Sequence, residues 1–327
     1  MKPALLELLR CPAAGGRLSL TSGVTSPEIE EGTLTCDCCG IAFPIVRGIP
    51  RFVEADNYAN NFGFQWNRFR ETQLDSHTGV PISRRRFLRQ TGWDQQALEG
   101  RLVLDAGCGA GRFAEVALSL GATLIAIDFS SAVDAAFANL QPHPNLHLVQ
   151  ADIYRLPFAP GTFDFVYSLG VLQHTPDVRK AVDSLVPMVK PGGGLTVDLY
   201  LRRWTNIAEP KYWLRPFTTR MQQERLFALV EKVAPSLLRL SRALARVPLI
   251  GRFLRRLVPV ANYEGVHPLN ETQLQQWAVL DTFDWLGPRY DQPQTPSTLR
   301  RWLEEAKLER VEVMHESHLT GRAVKPQ

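Results

Sequence analysis

Glycines and carboxylates recur in this chain at positions that suit a polar, positively charged ligand. Val103-Leu104-Asp105-Ala106-Gly107-Cys108-Gly109-Ala110-Gly111-Arg112 reads as an apolar strand ending at Asp105, a turn with glycine at every second position, and the start of a helix. Bare backbone there lets a ligand approach the carboxyl edge of a sheet. The spacing is Gly-x-Gly-x-Gly with an acid two residues ahead of the first glycine. A pyrophosphate site instead has Gly-x-Gly-x-x-Gly and would be repelled by that acid. An ammonium and a sulfonium suit it. About twenty residues on, a second apolar run ends at Asp128, beside Phe129, where a carboxylate can accept bonds from two ribose hydroxyls. A third run leads to Asp152-Ile153, where the acid can accept a bond from an adenine amino group and Ile153 can pack on the ring.

Ammonium, sulfonium, ribose and adenine together describe S-adenosylmethionine. Methyl transfer from a sulfonium is an in-line displacement, so alignment of acceptor and methyl supplies most of the catalysis and no protein nucleophile is needed. A base is required when the acceptor is a hydroxyl or a protonated amine. His174, in the stretch Ser168-Leu169-Gly170-Val171-Leu172-Gln173-His174 after a fourth apolar run, is the candidate, because imidazole titrates near neutrality. Helix-start capping or simple exposure is its other reading.

These landmarks, with Phe163-Asp164-Phe165-Val166 and Lys190-Pro191-Gly192-Gly193-Gly194-Leu195, resemble those of class I S-adenosylmethionine-dependent methyltransferases over about Tyr58–Tyr200 and Pro296–Val324. The resemblance implies a Rossmann-like, doubly wound α/β fold with a mostly parallel seven-stranded sheet. It also implies cofactor contacts at Asp105, Gly107, Cys108, Gly109, Gly111, Asp128, Phe129, Asp152, Ile153, Ser168 and Leu169, the last two beside the transferred methyl. Upstream, Phe62-Gly63-Phe64-Gln65-Trp66-Asn67-Arg68-Phe69 resembles the helix that often covers the methionine end of the cofactor. Gln65 and Trp66 can contact it there, or these aromatics can anchor the N-terminal segment to the core. There is no Asn-Pro-Pro-aromatic tetrapeptide and no cysteine after the fourth run, so nucleobase chemistry is not favoured.

The elements that must position these residues are legible as a pattern. Runs at Leu102–Asp105, Leu124–Asp128, Leu146–Gln150, Phe163–Ser168 and Leu195–Tyr200 alternate with helical stretches near Arg112–Leu120, Ser131–Leu140 and Val178–Val189. Such alternation specifies a parallel sheet with helices on both faces. The pattern stops at Leu201 and resumes at Thr295-Pro296, an N-cap and first-turn proline, ahead of an apolar face of Leu299, Trp302, Leu303 and Ala306. Arg310–Met314 and Arg322–Val324 then close the sheet. Length agrees, since 327 residues exceed the roughly 150 of one domain. The expected divisions are 1–55, a small β-rich ribbon; 56–200, the cofactor-binding core; 201–290, a helical insertion that holds the acceptor; and 291–327, the final helix and closing strands.

Within the ribbon, Cys36 and Cys39 have the spacing of a zinc pair, but three residues after Cys11 stands Ala14, so three ligands are in register unless Cys38 joins them. Leu8, Cys11-Pro12, Leu18, Leu34, Cys36, Cys39-Gly40, Phe43-Pro44-Ile45 and Gly48-Ile49-Pro50 resemble the zinc-ribbon-like domain of tRNA methyltransferase activators, also fused to the front of many bacterial methyltransferases. With the fourth cysteine missing, the expectation is a ribbon held by its apolar residues, with substoichiometric zinc or none.

In the insertion, Lys232–Tyr263 carries Arg239, Arg242, Arg246, Arg252, Arg255 and Arg256 and no acid, with Leu237, Leu240 and Leu244 on one helical face. It can cover the active site as a lid, meet an anionic or lipid-linked acceptor, or lie on an anionic membrane as a peripheral contact. Pro248, Gly251 and Pro259 are expected to divide it into short helices. Asp284, Tyr290 and His267 are candidate acceptor contacts, or aromatic packing beneath the lid.

Composition bounds the function. With 37 basic against 33 acidic residues, the net charge of +4 is too even to imply nucleic-acid binding. No apolar run reaches the roughly 18 residues of a membrane span, and Met1–Arg10 lacks a leader's apolar region, so cytoplasm is the expected compartment. The leading expectation is a methyltransferase acting on a small-molecule, glycan or lipid-linked acceptor. The alternatives are an RNA methyltransferase and a non-catalytic cofactor-binding module that acts through a partner.

Overall fold

Residues 1–23, 28–54, 57–204, 206, 209–316 and 318–327 are described by a computed structural model, without the side chains of Ser22 and Arg252. The loop expected after Leu20 falls partly outside them. The chain opens with α1 (Pro3–Leu8) and an antiparallel sheet of β1 (Leu18–Gly23), β2 (Gly32–Cys36), β3 (Ala42–Val46) and β4 (Ile49–Pro50), in that spatial order. So short a sheet has little interior of its own. Leu5, Leu9, Leu34 and Ile45 accordingly share one hydrophobic cluster with Ile127, Val149 and Phe158 of the following domain. The main chain continues the join: Phe52 N–H donates to Gln150 O at 2.8 Å, and Arg10 N–H to Pro157 O at 2.8 Å. Arg47 and Arg51 both pair with Asp134, at 2.6 and 2.7 Å.

Helices α2 (Asn60–Arg68), α3 (Asp75–Thr78), α4 (Ile82–Thr91) and α5 (Gln95–Leu98) lead into the large sheet. Its units are β5 (Leu102–Ala106), α6 (Arg112–Ser119), β6 (Thr123–Asp128), α7 (Ala132–Leu140), β7 (Leu146–Gln150), β8 (Phe163–Ser168), α8 (Val178–Leu185) and β9 (Val189–Leu199). These five strands are mutually parallel. All of β7 and all of β5 after Leu102 are buried, as strands covered on both faces must be. The strand order, with β10 (Glu309–Met314) and β11 (Leu319–Val324), is β10-β11-β9-β8-β5-β6-β7. β11 runs antiparallel to both neighbours. Order reverses between β5 and β8, so the glycine turn after β5 opens at the crevice where such sheets bind ligands.

The insertion holds α9 (Pro210–Thr218), α10 (Gln223–Ala245), α11 (Gly251–Arg256) and α12 (Glu271–Leu286). Contrary to the expectation of short helices alone, α10 runs 23 residues with Pro235 inside it, because Leu226, Phe227, Val230, Ala234 and Leu238 bury one continuous face. That packing offsets the bond a helical proline forfeits. The breaks fall after Ala245 and after Arg256. α12 begins with a full capping box, Asn270 with Gln273. Phe64 of α2 and Phe69, its C-cap, pack into the α10–α12 cluster. α13 (Pro296–Glu305) starts as expected, with Thr295 Oγ1 accepting from Thr298 N–H, and buries Leu299, Trp302 and Leu303.

Candidate cofactor and acceptor site

The glycine turn is held by its neighbour strand. Gly107 and Cys108 both donate their N–H to Ile127 O at 2.8 Å, and Gly109 N–H donates to Asp128 Oδ2 at 2.9 Å. Gly107 has φ 98° and Gly109 φ 53°, in the left-handed region that glycine enters without a Cβ clash. A Cβ at Gly107 would stand 2.5 Å from the Val171 methyls, and one at Gly109 would stand 3.2 Å from the Trp66 indole nitrogen. Backbone, Val171 and Trp66 thus converge on one small space.

Asp128 also accepts from Ser130 N–H at 2.8 Å and Ser130 Oγ–H at 2.7 Å, both at Oδ1. A carboxylate offers about four lone-pair sites, so three protein donors leave about one for a ligand hydroxyl, fewer than the two ribose bonds expected. Burial raises its pKa, and the bonds from Ser130 and Gly109 oppose the rise. Asp105 lies beneath the turn rather than at its mouth. It is 2% exposed, and its Oδ2 is buried without a hydrogen-bond partner. Burial pushes its carboxyl up to about 8, opposed by the nearby Tyr167 hydroxyl and reinforced by Asp128.

A cavity of about 1680 Å³ opens above the turn, larger than the roughly 300–1,000 Å³ of a single small-ligand pocket. Trp66, Gly107, Cys108, Gly109, Asp128, Phe129, Ile153, Leu169 and His174 all line it. Gln65, Asp105, Gly111, Asp152 and Ser168 are not among the lining residues. Ala59, Phe62 and Trp66 share the cavity face of α2, whereas Gln65, one residue round the helix, donates to Asp284 Oδ1 at 3.2 Å. Ser168 Oγ–H donates to Ala106 O at 2.7 Å, locking β8 to β5. Asp152 Oδ1 accepts from Tyr154 N–H at 2.9 Å and closes a turn. Gly111 faces Leu140, which a Cβ would approach to 2.6 Å.

These residues fit S-adenosylmethionine. Asp105 Oδ2 is an orphaned buried acceptor under the turn, Gly109 leaves room that a side chain would fill, and Asp128 retains an acceptor site at the wall.

His174 is buried, between the rings of Phe62 at 5.1 Å and Tyr200 at 5.3 Å. Its Nδ1 lies 2.9 Å from Tyr290 O. A carbonyl only accepts, so Nδ1 is the donor in this contact, and in the neutral ring Nε2 then holds the lone pair. Beside it, the Gly170 N–H donates to Asp198 Oδ1, and Arg86 and Gln90 bind Oδ2 at 2.6 and 2.7 Å, which fixes the loop that bears Leu169.

The outer half of the cavity comes from the insertion. Asp284 lines it and accepts from Tyr200 Oη–H at 3.3 Å as well as from Gln65. Asp281, one helical turn earlier, accepts from Tyr263 Oη–H and from Gln73 at 3.1 Å; burial pushes its carboxyl up to about 6. His267 also lines the cavity and stacks on Tyr263, while Tyr290 contributes its carbonyl to His174 and its ring to Tyr58. Sequence reasoning passed over Asp281, Tyr263, Gln73, Arg86 and Lys211. The available signal was a pair of acids, Asp281 and Asp284, in the mostly apolar second half of α12, among Val279, Leu280, Phe283 and Leu286.

In the ribbon, the sulfurs of Cys11, Cys36 and Cys39 lie within 4.8 Å of one another, and Cys38 is exposed outside that group. The Cys39 N–H, with the Cys38 N–H and the neighbouring thiols, lowers the Cys36 pKa to about 7 against the effect of burial.

Residues 104–197 match the family described as a methyltransferase domain, and residues 2–48 match Trm112p-like proteins. The ubiquinone biosynthesis O-methyltransferase of Thiobacillus denitrificans is 39% identical over 100 residues, 29% of this chain and 43% of that protein. The protein of the same name from Coxiella burnetii is 33% identical over 103 residues, 31% and 44%. The chain thus spans less than half the length of these curated relatives. Human N-acetylserotonin methyltransferase in complex with S-adenosylmethionine is similar at TM-score 0.45 and 16% identity, over 83% of this chain and 57% of that one. The complex of the Haloferax volcanii Trm112 methyltransferase activator with a methyltransferase gives TM-score 0.44 and 16% identity, over 82% and 99%. Residues 104–197 thus carry the match to a methyltransferase domain, and the Trm112p-like match precedes it.

Proposed function

We propose that this chain methylates a hydroxyl oxygen of a small-molecule or lipid-linked acceptor held between the core and the insertion. The observation that carries the reading is the 2.9 Å contact of His174 Nδ1 with Tyr290 O in the cavity wall: the carbonyl accepts from Nδ1–H, which leaves Nε2 of the neutral ring as the acceptor. The similarity to proteins named O-methyltransferases supports a hydroxyl as the accepting group.

S-adenosylmethionine, bound against the glycine turn, Asp128, Phe129 and Ile153, supplies a methyl group made electrophilic by the sulfonium. The protein's own work is to align and to take a proton. Leu169 and Gly170, fixed through Asp198 and Arg86, shape the wall next to the acceptor oxygen. As that oxygen bonds to the methyl carbon, sulfur is displaced with the carbon–sulfur electron pair as a neutral thioether, the acceptor's proton passes to His174 Nε2, and the Tyr290 carbonyl stabilises the imidazolium through Nδ1–H. The proton then leaves to solvent, and a methyl ether remains. Phe62, Trp66 and the insertion keep water from the methyl.

The ribbon serves its own chain in this reading. Its apolar face is covered by the core through Leu5, Leu9 and Ile45, which supports a stabilising role in cis over service to a separate partner. The test is a thermal-shift titration followed by a methyl-transfer screen on hydroxylated acceptors and on RNA. Stabilisation by S-adenosylmethionine and its demethylated product but not by NAD, with transfer to a hydroxylated small molecule, is the expected result. A shift with NAD alone, or transfer to RNA only, overturns it.

A further inference from the structure

The mouth of the cavity is an apolar and basic rim. Of the large hydrophobic side chains that stand exposed among the described residues, all but Ile41 and Val46 belong to residues 204–266. Trp204 is 88% exposed, Phe253 61%, and both line the cavity together with Arg203, Arg255 and Arg256. Exposed rings and guanidinium groups thus line the same cavity, as sequence neighbours at Arg203-Trp204 and within Phe253–Arg256. Leu249, at the turn between α10 and α11, is wholly exposed with φ 65°, a conformation that glycine or asparagine adopts at less cost. Ile250 beside it is half exposed. Acids are scarce: Glu209 is the one acid in 201–222, and 232–263 contains none.

We propose that this rim docks the chain on an anionic lipid surface, so that an acceptor dissolved in the bilayer enters the cavity directly from the membrane. The docking stands on the rim itself; the passage of an acceptor rests on the function proposed above. Exposed tryptophan and phenylalanine among arginines is the composition of helices that lie in the headgroup region. α9 and α11 are short enough to lie flat there, and no described helix is long and apolar enough to cross a membrane, so the contact is peripheral. A second copy is the poorer occupant, since two such rims would bring like charges together. A patch this apolar is otherwise an aggregation hazard.

The experiment is flotation of the full chain with vesicles of phosphatidylcholine, with and without phosphatidylglycerol, at low and high salt. Binding that needs phosphatidylglycerol and weakens with salt is expected. Arg255→Gln with Arg256→Gln should weaken partitioning about tenfold or more, given the attraction of each basic side chain to an anionic surface. Leu249→Asn with Ile250→Ser leaves the charge unchanged, and asparagine suits the left-handed position; it too should weaken binding about tenfold. Both residues of that pair lie off the cavity wall, so its thermal shift with S-adenosylmethionine should match wild type and report an intact fold. The proposal is overturned if phosphatidylglycerol vesicles fail to bind the wild type at low salt, if both pairs bind like wild type, or if the pairs abolish a dimer instead. Wild-type docking without any cofactor shift would instead sink the catalytic reading and leave the docking in place.

Discussion

The imidazole Nδ1 of His174 and the main-chain oxygen of Tyr290 meet at 2.9 Å across 116 residues of sequence. The first follows β8 of the core; the second is the last residue of the insertion. The segment that completes the acceptor cavity is thus also the segment that sets the tautomer of the candidate base. Gln292 reinforces the junction by donating its backbone N–H to Gln173 O at 2.9 Å.

If Nε2 takes the acceptor's proton, His174→Gln should lower kcat about 10²- to 10⁴-fold, the usual worth of a positioned base. Cofactor affinity should stay near wild type, because the glycine turn and Asp128 are untouched. Tyr290→Phe keeps the carbonyl and should turn over at close to the wild-type rate. Steady-state kinetics with calorimetry on the same proteins checks both, and a fully active His174→Gln enzyme would remove the base.

Asp128 joins β6, the glycine turn and Ser130 through one carboxylate. Asp128→Ala should weaken S-adenosylmethionine binding about 10- to 100-fold, as the loss of a hydrogen bond to a charged group implies. It should also lower Tm, because Gly109 N–H loses its partner. Asp128→Asn keeps one acceptor oxygen and should fall between. Calorimetry and a melting curve read the two effects separately, and unchanged affinity in Asp128→Ala would contradict the cofactor's placement.

The core was legible because its strands are short apolar runs punctuated by glycines and acids, and its helices carry one apolar face. Thr295-Pro296 and the Leu299, Trp302, Leu303 stripe marked α13 for the same reason. What resisted was direction. Whether a polar residue faces a cavity or a neighbouring helix depends on about 100° of rotation per residue, which is why Trp66 lines the site while Gln65 holds Asp284. Asp105 shows a second limit: the sequence placed an acid beside the turn, but only the packing of Tyr167 and the turn itself reveals that its Oδ2 is buried without a hydrogen-bond partner. The insertion's contribution, Asp281 with Tyr263 and Gln73, depends on how α12 packs against α2 and the turn that follows it, and no local pattern carries that.

The ribbon offers a gain-of-function check. Cys11, Cys36 and Cys39 already converge, and Ala14 occupies the fourth register position. Ala14→Cys should convert substoichiometric zinc or none into about one zinc per chain and raise Tm in a chelator-reversible way, since metal bound only to the folded state adds to stability. Elemental analysis with melting curves, with and without chelator, measures this. One tightly held zinc in the wild type would mean that Cys38 or another ligand already fills the gap.

The buried carboxyl of Asp105 makes a pH prediction with a definite sign. Its folded-state pKa is about 8, against about 3.9 for an unfolded aspartate, so between those values the folded chain holds a proton that the unfolded chain has lost. The stabilisation is therefore fully present below about pH 4 and is lost as pH rises through about 8, by about 1.4 kcal/mol per pH unit in between. Asp105→Asn is neutral in both states and removes that slope. His147 and His318, each pulled down to about 4, act in the opposite sense below about pH 6.5, but both proteins carry them, so the difference between the two curves isolates Asp105. Urea unfolding at about pH 6 and about pH 7.5 should show the wild type losing roughly 2 kcal/mol more than Asp105→Asn. A cationic ammonium drawn to this carboxyl favours its ionised form, so cofactor affinity in the wild type should rise over the same range and stay flat in Asp105→Asn. Titrations in two buffers of different ionisation enthalpy would register the released proton; equal slopes in both proteins would show that Asp105 is charged in the free site and that its burial does not govern binding.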